Sequence, residues 1–380
     1  MIKKITLLNQ VTGPLFIDIA NEYAKYYDEV ILVTGALEPT YAKLNDKVKV
    51  NYKTVYKRNK SYSRILTWLL FFVQTYLYFF FKKQQEGEEV LIVTNPPILP
   101  FLGSKFFLKR KIKFKVLVYD IYPDALSNFG YVKKSSFIYR YWDKMNKNAY
   151  ENADEVITIS SVMKEVVSRN IESNKINVIY PWVDTSFLKP IIKEENWFVK
   201  KHKLFGKKVV LYSGNMGATH DLMTVLKVAK EFNETKKEFH FLFIGDGVQK
   251  KDLINYLNFN NLKNVTFLPF QDPEVLPYSF SSADYGIVSL SSGAEGLSVP
   301  SKTFYYLAAG LAIIAITEKG SEIDRILSTS GCGITIKSED TKKMSHFLKT
   351  ISEEELELIK KKSRNLSKKF TVKNVQMFVK

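Results

Sequence analysis

The feature that most constrains this chain is a pattern used twice along its length. Short, unbroken Val/Ile/Leu/Phe runs are each followed by a stretch with apolar residues at helical spacing. In the first half the runs are Ile5–Leu8, Glu29–Thr34, Val90–Thr94, Lys115–Tyr119 and Glu155–Ile159, with Phe16–Lys25 as a helical stretch between the first two. Runs without polar alternation are strands buried on both faces, as in a parallel sheet covered by helices, and strand–helix alternation is βαβ winding. The second half repeats this with strands at Lys208–Tyr212, His240–Ile244, Val265–Leu268, Tyr285–Val288, Ala312–Ile316 and Gly333–Ile336. Helices are expected at Asp221–Lys236, Gln249–Phe259, Ser301–Ala309, Ser321–Ser328 and Glu353–Lys369. A length of 380 residues suits two domains at about 150 residues each. Pro181, Pro190 and a charged stretch between them and Lys207 mark the seam.

The expected architecture is therefore α/β, with two Rossmann-like doubly wound domains facing each other across a cleft. The expected boundaries are a domain over 1–185, a linker over 186–206, a second domain over 207–360, and a C-terminal helix over 361–380 packing back on the first domain. Ligands in such sheets sit at the C-terminal ends of the strands. The opening segment up to Leu8 reads as a first strand rather than a signal peptide, because Asn9 and Gln10 interrupt it without a cleavage site.

A formal net charge of +17 calls for an anionic partner. Residues 57–115 carry 12 basic and 3 acidic residues, and this excess surrounds one greasy segment, Arg64–Lys83. That segment is apolar almost all round, with Lys57, Arg58, Lys60 and Arg64 before it. It is shorter than the roughly 20 apolar residues of a bilayer span and holds Thr67, Gln74 and Thr75. Two readings stay open: a core helix, or a helix dipping into an anionic membrane interface through Trp68, Phe71, Phe72, Phe79, Lys82 and Lys83. The apolar and basic stretch Ile98–Lys115 repeats the pairing. The four histidines and the single cysteine, Cys332, form no metal-ligand pattern, so no metal or other cofactor is expected.

Two glycine-bearing segments carry the chemistry. Tyr212–Asp221 (YSGNMGATHD) leaves a strand and enters a helix. Its Gly214 and Gly217 allow close backbone approach, and the helix start offers free amides to phosphate. Ser292–Lys302 (SGAEGLSVPSK) is a glycine loop with one carboxylate, Glu295, entering a helix behind Pro300 and Ser301. Lys302 brings positive charge to a phosphate, and Glu295 accepts from sugar hydroxyls. Weaker signals are the turn Gly245-Asp246-Gly247 after a strand and the loop holding Phe270 and Gln271, placed to flank a base. In the first half, Asp120 and Asp124 stand at the end of a buried strand, where carboxylates bind acceptor hydroxyls or move protons.

Together these segments resemble glycosyltransferase family 4, of GT-B fold, and within it the WbuB-like group of O-antigen and capsule assembly. Asn95-Pro96-Pro97 is similar to that group's (S/N)PP turn, Asp120–Asp124 (DIYPD) to DLWPE, and Ile179–Asp184 (IYPWVD) to IPNxVD. Tyr212–Asp221 resembles YSGNxGxxHD and Glu295–Lys302 resembles EGLSVPSK. The resemblance implies a retaining, metal-independent enzyme. It would move a sugar, of N-acetylhexosamine type, from a UDP-sugar to a lipid-diphosphate-linked or other saccharide acceptor, working at the cytoplasmic face of the membrane. It assigns Asp120, His220, Glu295 and Lys302 to catalysis. Donor binding falls to Gly214, Asn215, Met216, Gly217, Gly245, Asp246, Gly247, Phe270, Gln271, Leu297, Ser298, Val299, Pro300 and Ser301. Gly13, Tyr119 and Asp124 fall on the acceptor side. Asn215 and His220 stand where many relatives carry Arg and Lys. Thr303 or Tyr305, depending on register, replaces the family's second Glu, and Tyr119 stands where many have His.

Other readings predict different features. A nucleic-acid-binding protein calls for Arg-rich base readout, whereas this excess is mostly Lys around an apolar helix, so no nucleic-acid partner is expected. A dinucleotide oxidoreductase needs GxGxxG after a strand, which is absent. An inactive partner subunit of the same fold differs from the enzyme only in turnover.

Overall fold

A computed structural model of the chain describes residues 3–38, 42–57, 61–82, 87–169 and 171–379. It divides into two units: Met1–Pro181 with Gly296–Val299 and Val372–Lys380, and Trp182–Glu295 with Pro300–Thr371.

The first unit is built on β1 (Lys4–Leu8), β2 (Glu29–Thr34), β3 (Val48–Tyr52), β4 (Glu88–Val93), β5 (Lys113–Val118), β6 (Glu155–Thr158) and β7 (Ile176–Val178). They form one parallel sheet in the order β3-β2-β1-β4-β5-β6-β7. Leu7, Leu32, Ile92, Val116 and Ile157 are fully buried, as a sheet covered on both faces requires. β3 and β7 carry polar residues between the apolar ones, so as sheet edges they escape the run pattern.

Helix α1 (Pro14–Tyr26) starts with Gly13 at its N-cap and Pro14 in the first turn, where proline's missing N–H costs nothing. Helix α2 (Ser61–Phe81) is the greasy segment. Thr67, Phe71, Thr75 and Phe79, four apart, are between 0% and 4% exposed. One helical face this narrow is the whole buried stripe. Its threonines are satisfied within the helix: Thr67 Oγ1 donates to Ser63 O (2.9 Å) and Thr75 Oγ1 to Phe71 O (2.7 Å). Gln10 Nε2 reaches Thr67 O (2.9 Å), and Thr54 N donates to Gln74 Oε1 (2.9 Å).

Two of the expected membrane-contact residues are thereby corrected, since Phe71 and Phe79 belong to the protein core. Phe79 meets Phe107 at 4.9 Å. Trp68 and Phe72 are half-buried, and Lys82 is ion-paired with Glu88. Lys83, with Arg58 and Lys60, lies outside the described residues. The remaining faces of α2 leave Ile65, Leu66, Leu69, Leu70, Val73, Leu77, Phe80 and Phe81 exposed. The other greasy stretch, Ile98–Lys115, forms a π-helical turn over Leu102–Phe107 with Leu102 and Phe107 buried, then β5. Helix α3 (Phe137–Asn152) follows, capped by Ser136, whose Oγ accepts from Tyr139 N.

The second unit has β8 (Lys208–Ser213), α4 (Met223–Thr235), β9 (Phe239–Ile244), α5 (Lys250–Phe259), β10 (Val265–Leu268) and β11 (Tyr285–Ser289). After these come α6 (Lys302–Ala309), β12 (Ala312–Ile316), α7 (Glu322–Ser330), β13 (Gly333–Ile336), α8 (Thr341–Thr350) and α9 (Glu353–Ser367). Its parallel sheet runs β10-β9-β8-β11-β12-β13, the winding of the first sheet. Phe232, Phe241, Tyr285, Ile314 and Met344 lie in its core.

Two expected boundaries are corrected. Residues 186–206 are not a free linker. They carry the short helix Trp197–Lys201, bury Leu188, Phe198, Val199 and Leu204, and are tied down by Lys193 Nζ to Asp284 Oδ2 (2.5 Å) and Asn196 Nδ2 to Tyr278 O (2.8 Å). The apolar quartet is hidden in sequence by the charges around it. At the other end, α9 stays with the second unit: Arg364 Nη1 donates to Ala308 O (2.6 Å) and Leu188 O (3.0 Å). Only the terminal 3₁₀ turn, Val372–Phe378, belongs to the first unit, where Tyr23 Oη donates to Phe378 O (2.8 Å).

Candidate active site

In the second unit the strand order reverses between β8 and β11, the position where open α/β sheets bind ligands. The segment Gly214–His220 leaves β8 there. Gly214 has φ +139°, and a Cβ on it would lie 3.0 Å from Lys302 Nζ. Gly214 N donates to Ile244 O (2.9 Å) and Met216 N to Asp246 O (2.7 Å). The turn after β9 lies against this loop so closely that a Cβ on Gly245 (φ +138°) would sit 2.0 Å from Gly214 O. A Cβ on Gly247 would sit 2.4 Å from Met216 O. Gly245 and Gly247 thus shape the Gly214 loop, and Met216, fully buried, contributes its backbone. An Ala at 245 costs about 1–3 kcal/mol in backbone strain alone. Gly245→Ala is therefore expected to lower the unfolding midpoint by several degrees in calorimetry.

Gln249 holds the far end of the same loop. Its Nε2 donates to Gly217 O and to His220 O (2.6 Å). His220 Nδ1 lies 2.9 Å from Ser289 O at the end of β11. A carbonyl only accepts, so Nδ1 carries the proton. Burial, with Lys302 nearby, pushes the imidazole down to about 4. His220 is thus neutral at physiological pH and turns an acceptor nitrogen, Nε2, outward, which suits a hydroxyl rather than a phosphate. Asp221 is occupied otherwise: its carboxylate accepts from Thr224 Oγ1 (2.6 Å), Ser338 Oγ (2.6 Å) and Glu339 N (3.0 Å). Burial acts to raise its pKa, but these hydrogen bonds outweigh it and hold it below the usual carboxylate value.

Lys302 opens α6. Its Nζ is buried, has no hydrogen-bond partner, and sits 3.7 Å from the centre of the Tyr212 ring. Desolvation pushes the ammonium down to about 7. The ring face supports the charge, while Tyr212 Oη donates to Asn215 O (2.5 Å) and Tyr306 Oη accepts from Ser213 N (2.9 Å). Glu295 Oε2 accepts from Gly293 N (2.7 Å), and its Oε1 is buried without a partner. Pro300 O and Ser301 O accept from Thr303 N (3.1 Å) and Phe304 N (3.0 Å) to start the helix. Eight buried side-chain atoms of this unit lack a partner among the described residues, and four of them, on Ser291, Glu295, Lys302 and Thr303, fall in the segment 291–303.

Phe270 is 59% exposed, and Gln271 Nε2 is turned to Pro269 O (2.8 Å). Asp246 is exposed and accepts from Gly247 N (2.8 Å). Leu297 and Val299 are buried, with Ser298 half-buried between them, in the segment that groups with the first unit, where Leu297 O accepts from Ile121 N (3.0 Å). Leu297 and Val299 therefore offer backbone rather than side chain.

In the first unit, Thr94 Oγ1 accepts from Tyr119 N (3.0 Å) and Asp120 N (3.4 Å), fixing the turn after β5. Asp120 is exposed, and desolvation by the surrounding chain pushes its carboxyl up to about 6. Asp124 accepts from Tyr139 Oη (2.9 Å), a structural bond that leaves Asp120 as the available carboxylate of the pair. Burial raises the Tyr119 phenol above its ordinary value. A Cβ on Gly13 would meet Glu38 Oε2 at 3.1 Å.

Sequence reasoning brought the two glycine segments together but missed Tyr306, Ser289, Gln249 and the ring of Tyr212 as the seat of Lys302. One trace was legible. Gly286 interrupts a buried strand because a Cβ there would lie 2.6 Å from the Tyr306 ring.

Residues 193–370 match the family described as Glycosyl transferases group 1. A probable glycosyltransferase WbjE of Pseudomonas aeruginosa is 27% identical over 271 residues, 70% of this chain and 66% of the relative. A putative colanic acid biosynthesis glycosyl transferase, WcaI of Escherichia coli (strain K12), is 24% identical over 197 residues, 51% of this chain and 48% of the relative. The chain is thus matched to just under two thirds and about half the length of these relatives. Anabaena Alr3699/HepE, solved in complex with UDP and glucose, superimposes with a TM-score of 0.74 at 14% identity, covering 99% and 98% of the two chains. Sucrose-phosphate synthase of Thermosynechococcus elongatus does so with a TM-score of 0.74 at 14% identity, over 99% and 97%. WaaG, a glycosyltransferase involved in lipopolysaccharide biosynthesis, gives 0.71 at 12%, over 99% and 98%. Two wound parallel sheets give the chain the GT-B architecture of these solved structures. The likeness to the group 1 glycosyl transferases spans just under half of the chain and lies almost wholly in the second unit.

Proposed function

We propose that this enzyme transfers a sugar from a UDP-sugar to a saccharide acceptor carried on a lipid diphosphate, in bacterial surface polysaccharide synthesis. The observation that carries the reading is the buried, unpartnered ammonium of Lys302 beside Gly214. It is a charge held ready for an anion at the β8/β11 reversal. UDP in the HepE complexes supports the nucleotide, the name of WbjE supports the transferase activity, and that of WcaI supports the pathway class. The sequence resemblance supports an N-acetylhexosamine donor and retention of configuration.

In this mechanism the developing charge on the leaving UDP is stabilised by Lys302 and by the amides of the Gly214 loop and of the start of α6 that are not already bonded, those of Asn215, Gly217, Ser301 and Lys302. The neutral His220 accepts from a hydroxyl of the donor sugar, and Glu295 Oε1 takes another. No protein nucleophile and no metal are required in this scheme, so turnover is expected to survive chelators. The enzyme works at the cytoplasmic face of the membrane, on which the exposed flank of α2 and its basic surroundings rest.

The test is thermal stabilisation. A ligand that binds only the folded state at 100 times its dissociation constant adds about 2.7 kcal/mol, which is a shift of a few degrees. UDP is expected to give this shift, GDP and ADP less, and NAD none. Equal responses to all four, or none, overturn the donor assignment. Retention is read from the anomeric coupling of the product by NMR.

A further inference from the structure

The first unit holds an aromatic corner that neither the motifs nor the donor chemistry uses. Tyr56 and Trp68 stack nearly parallel, with centroids 6.3 Å apart and planes 5° apart. Tyr122 and Trp142 stack at 5.9 Å and 16°. Trp68 meets Tyr122 edge to face at 6.1 Å and 84°, so the two stacks stand at right angles. All four rings are half-buried rather than sealed in the core. The Arg64 guanidinium lies over Trp68, 5.8 Å from the ring centre. Arg64 forms no ion pair among the described residues. The charges of Asp120 and Arg64 are both felt at the Tyr122 phenol, which burial pushes up to about 12. Asp120 stands two residues before Tyr122, in the turn after β5. Asn146 Nδ2 fixes it from behind by donating to Tyr122 O (2.7 Å).

We propose that this corner is the acceptor subsite, with Arg64 as the group that binds the acceptor's phosphate. The idea rests on the transfer reaction proposed above. Ring faces carry the negative lobe of the aromatic quadrupole and attract the weakly positive C–H face of a pyranose. Two faces at a right angle hold one sugar ring in a single orientation. Asp120 is then beside the hydroxyls of that sugar. Arg64 presents a planar fork that fits a phosphate bidentately, on a residue the ring face has already oriented. It stands in the first turns of α2, whose exposed apolar flank begins at Ile65. A sugar in the corner, its phosphate on Arg64 and its lipid along α2 make one continuous path.

Direct binding tests this without turnover. Quenching of tryptophan fluorescence is followed in the full-length protein with four probes: farnesyl diphosphate-linked N-acetylglucosamine, octyl N-acetylglucosaminide, farnesyl diphosphate, and phosphatidylglycerol vesicles. A charge-assisted hydrogen bond is worth tenfold to a hundredfold in affinity. Arg64→Gln is expected to weaken both diphosphate probes by that factor, to leave the octyl glycoside within twofold, and to weaken the vesicles by no more than the roughly fivefold that one surface charge contributes. Arg64→Lys recovers part of the loss. Trp68→Ala is expected to weaken both sugar probes while sparing farnesyl diphosphate, and Trp68→Phe keeps a ring should the alanine variant misfold. Equal loss for all four probes makes Arg64 a structural or membrane residue and overturns the proposal, as does failure of the sugar diphosphate to bind the wild type. The thermal response to UDP is unchanged in every variant. Its absence from the wild type counts against the donor assignment and leaves this binding test standing.

Discussion

Replacement of Lys302 by Ala is expected to lower turnover by roughly tenfold to a thousandfold, the scale seen when one charge-stabilising contact to a transition state is lost. The loss should fall on kcat and kcat/KM together, because the ammonium counts most when charge builds on the leaving phosphate. Binding of UDP should also acquire a different pH dependence. The folded protein holds Lys302 near 7, against about 10.4 in an unfolded chain. Between these values the unfolded state binds more protons, so this group's contribution makes the unliganded protein more stable as pH rises from about 7 to about 10. A bound diphosphate reverses that preference by restoring the ammonium. Nucleotide binding should therefore take up a proton, and affinity should fall towards tenfold per pH unit above 7. Titration calorimetry in buffers of different ionisation enthalpy measures the uptake. In Lys302→Met it should vanish and the pH profile should flatten. A wild-type profile that is flat between pH 7 and 9 removes Lys302 from contact with the diphosphate.

The central strands were legible because both faces of each are covered, which leaves an unbroken apolar run such as Glu29–Thr34 with nothing to disguise it. The edges were not: Val48–Tyr52 reads VKVNY, a half-solvated alternation of apolar and polar residues that a search for unbroken runs passes over. The same physics hid the packing of residues 186–206, where Phe198 and Val199 are buried inside a segment that is otherwise charged. At the site, Gly214 and Lys302 could be read because glycine positions and a charge next to a helix start have local meaning. Their arrangement could not. The hydrogen bonds from Ser213 to Tyr306 and from His220 to Ser289 span 93 and 69 residues. No spacing in the chain announces them. The neutral state of His220 is a property of that arrangement and not of the residue type. A neutral imidazole offers a hydroxyl acceptor rather than charge to a phosphate, which is the role proposed for it above.

The α2 helix shows the limit most clearly, since its composition alone allowed both a core helix and a membrane contact, and the structure divides it into a buried stripe and an exposed apolar flank. Thr67, Phe71, Thr75 and Phe79 anchor it to the first unit, and the helix meets the length and composition of a span. Yet a span would pull that stripe and the Gln10 bond out of the domain. The exposed flank is what a bilayer would receive. Leu69, Val73 and Leu77 are 50%, 48% and 43% exposed, so each keeps about half its apolar area free, worth about 1 kcal/mol on transfer out of water. Leu69→Gln, Val73→Gln and Leu77→Gln combined should lower partitioning onto anionic vesicles by about two orders of magnitude in a flotation assay. The thermal response to UDP should stay as in the wild type, because these residues lie in the other unit from Lys302. Raising salt tests the second contribution, since basic residues near a surface add about 1 kcal/mol each and are screened within a Debye length. Vesicle binding that survives the triple substitution but disappears at high salt would make the attachment electrostatic and leave the apolar flank for a protein partner. Loss in both experiments makes the two contributions cooperative, with the flank inserted and the basic collar holding it at the lipid surface.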